Sequence, residues 1–433
     1  MSLKLIGRKY IGFENALARQ AQAFAAVGGA EIELKFLEVE DLYDQMVAGK
    51  GAANGEADIM LTVTDWYPAL IAENAVARLD EFIATDPPQD WNDGWTPSVL
   101  GLQQDAGGHI YGLPYHDGPE MFIFRKDLFD SDDEQKCFQE QHGRPLTLPR
   151  TWSEFLEVAR FFTRPEDNLY GTVFAAFPDA HNIIYDFLLH VWTRGGEVLD
   201  GDNRPAFHSK IGIEALSFIK DLMHTHQVTP PDCAEIDSVK SGDRFASGGI
   251  AMMVNWMGFA AYADSFETSQ VKGKVGCGLV PAGNSPGGTH CSLNIYWCLT
   301  ITAGSQQKEA AYRFLKYCAM PENDIITSDE GGIGVRRSTW LEYANRGVAG
   351  YAELEEQHAH AMHLPQVAAF ADAHFYVEKT PCKSRTTTAV HKLARKESLQ
   401  ELAQMAGSGP GAKRSATEML TRAEEWKSAL TRA

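Results

Sequence analysis

Ala57-Asp58-Ile59-Met60-Leu61-Thr62-Val63-Thr64-Asp65-Trp66 is the stretch that decides the fold. Ile59-Met60-Leu61 is an apolar run typical of a strand buried on both faces. Working back from it, the turn-rich Gly49-Lys50-Gly51 follows a helical pattern over Asp41 to Ala48, and Ile32, Leu34 and Phe36 alternate as a strand. Before that strand, Leu17, Ala21 and Phe24 recur at helical spacing, closed by Gly28-Gly29, the residue type that best supplies a left-handed helix end. Leu3 to Ile6 supplies the first strand. The β-α-β-α-β order predicts an α/β protein with a mainly parallel sheet covered by helices.

Beyond this stretch the character changes. Leu148-Pro149-Arg150-Thr151-Trp152-Ser153 punctuates the chain before a helix expected to reach Phe162, with Thr151 or Ser153 as its cap. Ile211, Ala215, Phe218 and Leu222 form the apolar stripe of another helix. Strands are expected at Ile250 to Val254, Val275 to Val280 and Leu293 to Ile301, followed by mostly helical sequence. Gly407-Ser408-Gly409-Pro410-Gly411 reads as a flexible break before a last amphipathic helix. No fixed-period repeat is present.

At 433 residues the chain has room for two or three domains. With 44% hydrophobic and 22% charged residues it reads as ordinary globular sequence, not as disordered or coiled-coil chain. Its formal charge of −19, from 39 basic against 58 acidic residues, would repel phosphate backbones and makes nucleic acid an unsuitable partner. No apolar run is long enough to span a bilayer. The N-terminal residues lack the pattern of a secretory signal, which implies either a cytosolic protein or one whose signal has been removed. Seven dispersed cysteines, none in a C-x-x-C pair, offer no zinc or redox motif.

Catalytic patterns are weak. Gly283-Asn284-Ser285-Pro286-Gly287 has the letters of a nucleophile elbow, but Pro286, Gly287 and Gly288 lead toward a strand where a helix is required, so a hairpin loop is expected. His358, His360 and His363, with His374 nearby, do not share one helical face, so a solvated helix is expected there instead of a metal site. Gly407 to Lys413 lacks phosphate-loop spacing. Asp117 and Glu120 could act as the paired acids of a glycosidase, against a hydrogen-bonding or turn role.

Read in order, further blocks join the first: Leu79-Asp80-Glu81-Phe82, Gly108-His109-Ile110-Tyr111-Gly112-Leu113-Pro114, Phe124-Arg125-Lys126-Asp127-Leu128-Phe129, and Pro149 to Phe155. Phe245 to Met253, Glu309 to Phe314 and Gly331-Gly332-Ile333-Gly334-Val335-Arg336 continue the series. Over about residues 55 to 340 the chain resembles the family 1 extracellular solute-binding proteins of bacterial sugar ABC transporters, relatives of the maltodextrin-binding protein. It departs from them at Arg125, where asparagine is usual, and at Gly334, where proline is common.

The resemblance implies a periplasmic-binding-protein type II fold, two α/β lobes joined by a hinge with the ligand cleft between them. The expected lobes are residues 1–114 plus 263–318, and 115–262 plus 319–433. It implies ligand contacts at Asp65 and Trp66 after the buried strand, and at Asn255 and Trp256 at a strand end in the other lobe. These choices suit sugars, which need flat apolar faces for their C–H surfaces and fixed polar groups for their hydroxyls. His116 and Asp117 fall where the first crossing is expected; Phe13, Glu14 and Asp44 belong on helices toward the same cleft. Asn294, Tyr296, Gly332 and Arg336 are the candidates on the later crossings, Arg336 for its five donors and Gly332 for close backbone approach.

The implied protein is a non-enzymatic receptor, without cofactor or metal, that closes on a sugar or oligosaccharide and delivers it to a membrane permease. It would be monomeric and periplasmic or extracellular, its signal removed. Two alternatives stay open: a secreted glycosidase or lyase using Asp117, Glu120 or His116, and a polyamine or peptide receptor whose acids Glu14, Asp44, Asp65 and Asp117 hold a cation.

Overall fold

In the computed structural model, residues 2–105, 107–177, 182–198, 206 and 209–363 are described. Within them the chain divides into two compact units. The first comprises residues up to Pro119, Asn294–Gly347 and residues 354–363; the second comprises Glu120–Leu293 and Val348–Glu353.

The strands of four or more residues are β1 (Ser2–Arg8), β2 (Glu31–Leu37), β3 (Ile59–Val63), β4 (Leu113–His116), β5 (Glu120–Arg125), β6 (Met252–Trp256), β7 (Val275–Gly278) and β8 (Trp297–Ile301). The helices that matter here are α1 (Ile11–Ala26), α2 (Trp152–Phe162), α3 (Asn182–Thr193), α4 (Lys210–His224), α5 (Lys308–Cys318), α6 (Pro321–Asp329), α7 (Arg337–Asn345) and α8 (Leu354–Ala359).

The first unit is built on a five-stranded sheet in the order β2-β1-β3-β8-β4. β1 is parallel to β2 and β3, as the β-α-β-α-β reading expects. β8 runs antiparallel to both β3 and β4, so the sheet is mixed and not mainly parallel throughout. All five residues of β3 are buried, matching its apolar sequence. α1 buries Leu17, Ala21 and Phe24 against the sheet side of the unit and ends at Ala26; Gly28 follows with φ +88°, the left-handed conformation that an L side chain resists. The helix expected over Asp41 to Ala48 is a short α-helical turn at Val39–Tyr43 that widens into a π-helical turn at Asp44–Ala48.

In the second unit β5 lies between β6 and β7, antiparallel to each. α2 starts at Thr151, whose hydroxyl accepts from Glu154 N–H while the Glu154 carboxylate accepts from Thr151 N–H, a complete capping box. α4 carries the expected stripe, with Ala215 and Leu222 buried. Gly283 to Gly287 is a loop: Gly283 N–H donates to Thr193 O, and the Asn284 amide pairs with Ser153 Oγ.

The lobe bounds after residue 262 differ from the expected ones. Residues 263–293 belong to the second unit because β7 pairs with β5, and residues 319–347 belong to the first because α6 packs on α1. The strand expected over Leu293 to Ile301 is interrupted at Asn294–Tyr296, where the chain returns to the first unit and β8 begins. The last amphipathic helix, His374 and Cys382 lie outside the described residues.

Candidate functional site

In the first unit, strand direction gathers side chains at one end of the sheet. β1 and β3 are parallel, so Arg8 and Asp65-Trp66 emerge together; β8 is antiparallel, so its first residue, Trp297, stands at the same end. Trp297 pairs with Val63 on one side and His116 on the other. Loops beyond strand ends are where α/β proteins place ligands.

The rings there meet edge to face, except Phe13 and Trp297, which are tilted. Phe13 of α1 lies 5.0 Å from Tyr10, 4.9 Å from His116 and 5.8 Å from Trp297. Trp66 meets Tyr43 at 5.4 Å and Trp297 at 5.9 Å, and the Arg8 guanidinium sits 5.4 Å over the Trp297 ring. Asp65 is buried on the turn between them, a turn anchored by Thr64 N–H donating to Tyr296 O and Tyr296 N–H donating to Thr64 Oγ1. Glu14, in the first turn of α1, is half-buried, and Asp44, opening the π-helical turn, is exposed.

His116 has a defined protonation. Its Nδ1 accepts from Ile333 N–H at 2.8 Å, so the neutral ring carries its proton on Nε2. Burial pushes its pKa down to about 4; the Asp117 carboxylate opposes that shift and Arg8 adds to it. At neutral pH His116 is thus an uncharged N–H donor beside Phe13.

Other candidates spend their polar groups inside the first unit. Asp117 is 1% exposed, with Oδ2 2.5 Å from His358 Nε2; that imidazole stacks on Trp340 of α7 at 5.0 Å and has Nδ1 3.2 Å from Ser98 Oγ. His358 is therefore buried, contrary to the solvated helix expected around it. The Asn294 amide nitrogen lies 3.5 Å from both Ser98 Oγ and His358 Nδ1. Tyr296 is fully buried: its single hydroxyl proton is shared between Val99 O and Gln103 Oε1, and its oxygen accepts from Leu102 N–H. Arg336, also buried, donates to Ala319 O, Gln89 O and Asp90, and its guanidinium lies 4.3 Å over Trp95. Gly332 gives its N–H to Thr327 O. Tyr296, Arg336 and the Gly332 N–H thus have these polar groups engaged within the first unit.

In the second unit Asn255 and Trp256 are the last residues of β6. The Asn255 amide donates to Ser241 Oγ at 2.8 Å and its carbonyl accepts from Trp256 N–H at 2.9 Å, so Asn255 acts as a strut that orients Trp256. Trp256 is half-buried and meets Tyr185 of α3 edge-on at 5.8 Å. Opposite Trp256 in the β5–β6 register stands Glu120.

Sequence reasoning missed Arg8, Tyr43, Trp297 and Tyr185. Trp297 was hidden by reading Leu293 to Ile301 as one strand, which placed it in mid-strand instead of at a strand start. Arg8 and Tyr43 carried a usable signal, being adjacent to a strand end and to Asp44.

The sequence pattern of the bacterial extracellular solute-binding proteins matches residues 12–325. The chain belongs to that family. It is a family of binding proteins, not of enzymes, so catalysis by Asp117, Glu120 or His116 is set aside. The solute-binding protein is 25% identical to the mannitol-binding protein of Pseudomonas aeruginosa over 58% of each chain, less than two thirds of that relative's length. Among solved structures it resembles an ABC transporter solute-binding protein from Agrobacterium radiobacter in complex with ribitol, at 22% identity and TM-score 0.78 over 94% of this chain and 97% of that one. It also resembles maltose-bound MalE3 of T. maritima, at 21% identity and TM-score 0.77 over 99% of each. An Agrobacterium vitis solute-binding protein with bound D-mannitol matches at 19% identity and TM-score 0.74, again over 99% of each. These likenesses establish the expected type II periplasmic-binding-protein fold. No helix among the described residues is long and apolar enough to cross a membrane.

Proposed function

We propose that this solute-binding protein is the receptor of an ABC importer for an uncharged sugar or sugar alcohol. Family membership over residues 12–325 carries the reading. The ligand class is supported by the mannitol-binding relative and by the cluster of Phe13, Trp66 and Trp297 around Asp65 and the neutral His116 donor. Rings cover the C–H faces of a polyol, while a carboxylate and an N–H satisfy its hydroxyls. Trp256 supplies the platform in the second unit, with Asp65, Trp66, His116, Phe13, Glu14 and Asp44 in the first.

Closure of the two units on the ligand belongs to the same proposal: a ligand shifts a conformational equilibrium only by binding one state more tightly. So do a membrane permease as recipient, a monomeric protein, and a place outside the cytoplasmic membrane with the signal segment removed. Calorimetry with D-mannitol, ribitol and maltose tests the site. Trp256→Ala and Asp65→Ala are each expected to weaken binding at least about tenfold, the equivalent of one lost hydrogen bond to a charged group or one lost stacking contact. Unchanged affinity in both variants contradicts the assignment.

A further inference from the structure

Glu120 stands apart from the other acids of the second unit. It is the first residue of β5, 3% exposed, and its Oε2 is buried with no hydrogen-bonding partner among the described residues. An unpaired buried carboxyl oxygen is costly, and a native fold retains one where something else uses it. The β5–β6 register sets Glu120 directly opposite Trp256, which puts both side chains on the same face of the sheet, about 5 Å apart at Cβ. Tyr185 of α3 lies edge-on to Trp256, and its neighbour Asp186 is also buried.

We propose that the Glu120 carboxyl is the specificity-determining group of the second unit, donating a hydrogen bond to a hydroxyl of a neutral sugar or sugar alcohol laid against Trp256. This rests on Trp256 being the ligand platform. A donor at this position requires the protonated acid, and the surroundings keep it so. Burial raises the Glu120 pKa well above the usual carboxylate range, and the Asp186 charge raises it further.

Among the described residues, the groups that shift Glu120 include no cation opposing that rise. β6 brings Asn255 and Trp256, Ser292 gives its hydroxyl to Glu120 O, and His190, one turn along α3 from Asp186, is held neutral by burial and by Arg194. A neutral acid can donate to a hydroxyl, and the Asp186 charge beside it disfavours a ligand that is itself a carboxylate. The same geometry therefore selects uncharged polyols over sugar acids.

The test is calorimetry of the full chain with D-mannitol, ribitol and maltose between pH 6 and pH 9, on the wild type, E120Q and E120L. Wild-type affinity should fall as pH rises and the Glu120 proton is lost. E120Q, which keeps a permanent N–H donor in nearly the same shape, should bind within about threefold of wild type at pH 6 and lose the alkaline fall, while E120L should bind about tenfold more weakly. If E120L does not fold, the E120Q profile decides: a flat one supports the proposal, and one that follows the wild type overturns it. Wild-type binding with both variants indistinguishable from it overturns this inference alone. A wild type that binds none of the three ligands removes the receptor reading and this inference with it.

Discussion

A residue type at a strand end shows that it could meet a ligand, but not which way its polar atoms are spent. The strand-end position of Asp65-Trp66 was legible because an unbroken buried strand precedes it and the chain must turn there. Tyr296 and Arg336 had equal appeal as letters, and only three-dimensional neighbours reveal that Val99, Gln103 and Leu102 consume the hydroxyl and that Ala319, Gln89, Asp90 and Trp95 consume the guanidinium. The consequence is measurable. Tyr296→Phe leaves Leu102 N–H and Gln103 without their partner, so it should lower unfolding free energy by about 1–3 kcal/mol while leaving polyol affinity within about twofold. A loss of affinity without a loss of stability, read by calorimetry beside denaturant unfolding, would return Tyr296 to the ligand.

Elements were legible where their signal is local. The sequence offered Thr151 or Ser153 as the cap, and α2 begins there, with Thr151 in a capping box with Glu154. Thr151→Ala should cost about 1 kcal/mol by chemical denaturation, since it strands Glu154 N–H at the helix start; an unchanged midpoint would show that the cap contributes nothing. Sheet membership is different, because it depends on partners far along the chain. β7 and β8 are both short strands with no local mark of their partners, yet β7 pairs with β5 in the second unit and β8 lies between β3 and β4 in the first. The crossing at Asn294–Tyr296 is invisible to periodicity because Leu293 to Ile301 keeps an apolar character through it. For the same reason the antiparallel entry of β8 into an otherwise parallel half-sheet could not be read from the N-terminal β-α-β-α-β order.

For the whole molecule, two lobes built from discontinuous segments followed from the order of short blocks, and the family match and fold agree with it. The boundaries between lobes did not follow, since crossings are set by packing such as that of α6 on α1. The −19 charge reads as the solvated exterior of a protein with more acidic than basic side chains. A micromolar polyol corresponds to about −8 kcal/mol, within reach of stacked rings and a handful of satisfied hydrogen bonds without any chemistry on the ligand. The measurement that tests this most directly is titration calorimetry against D-mannitol, ribitol, maltose and spermidine, with the ligand recovered and characterised afterwards. Receptor function predicts one-to-one binding of at least one polyol or sugar, no binding of spermidine, and ligand recovered unchanged; product accumulation, or heat with spermidine alone, would contradict it.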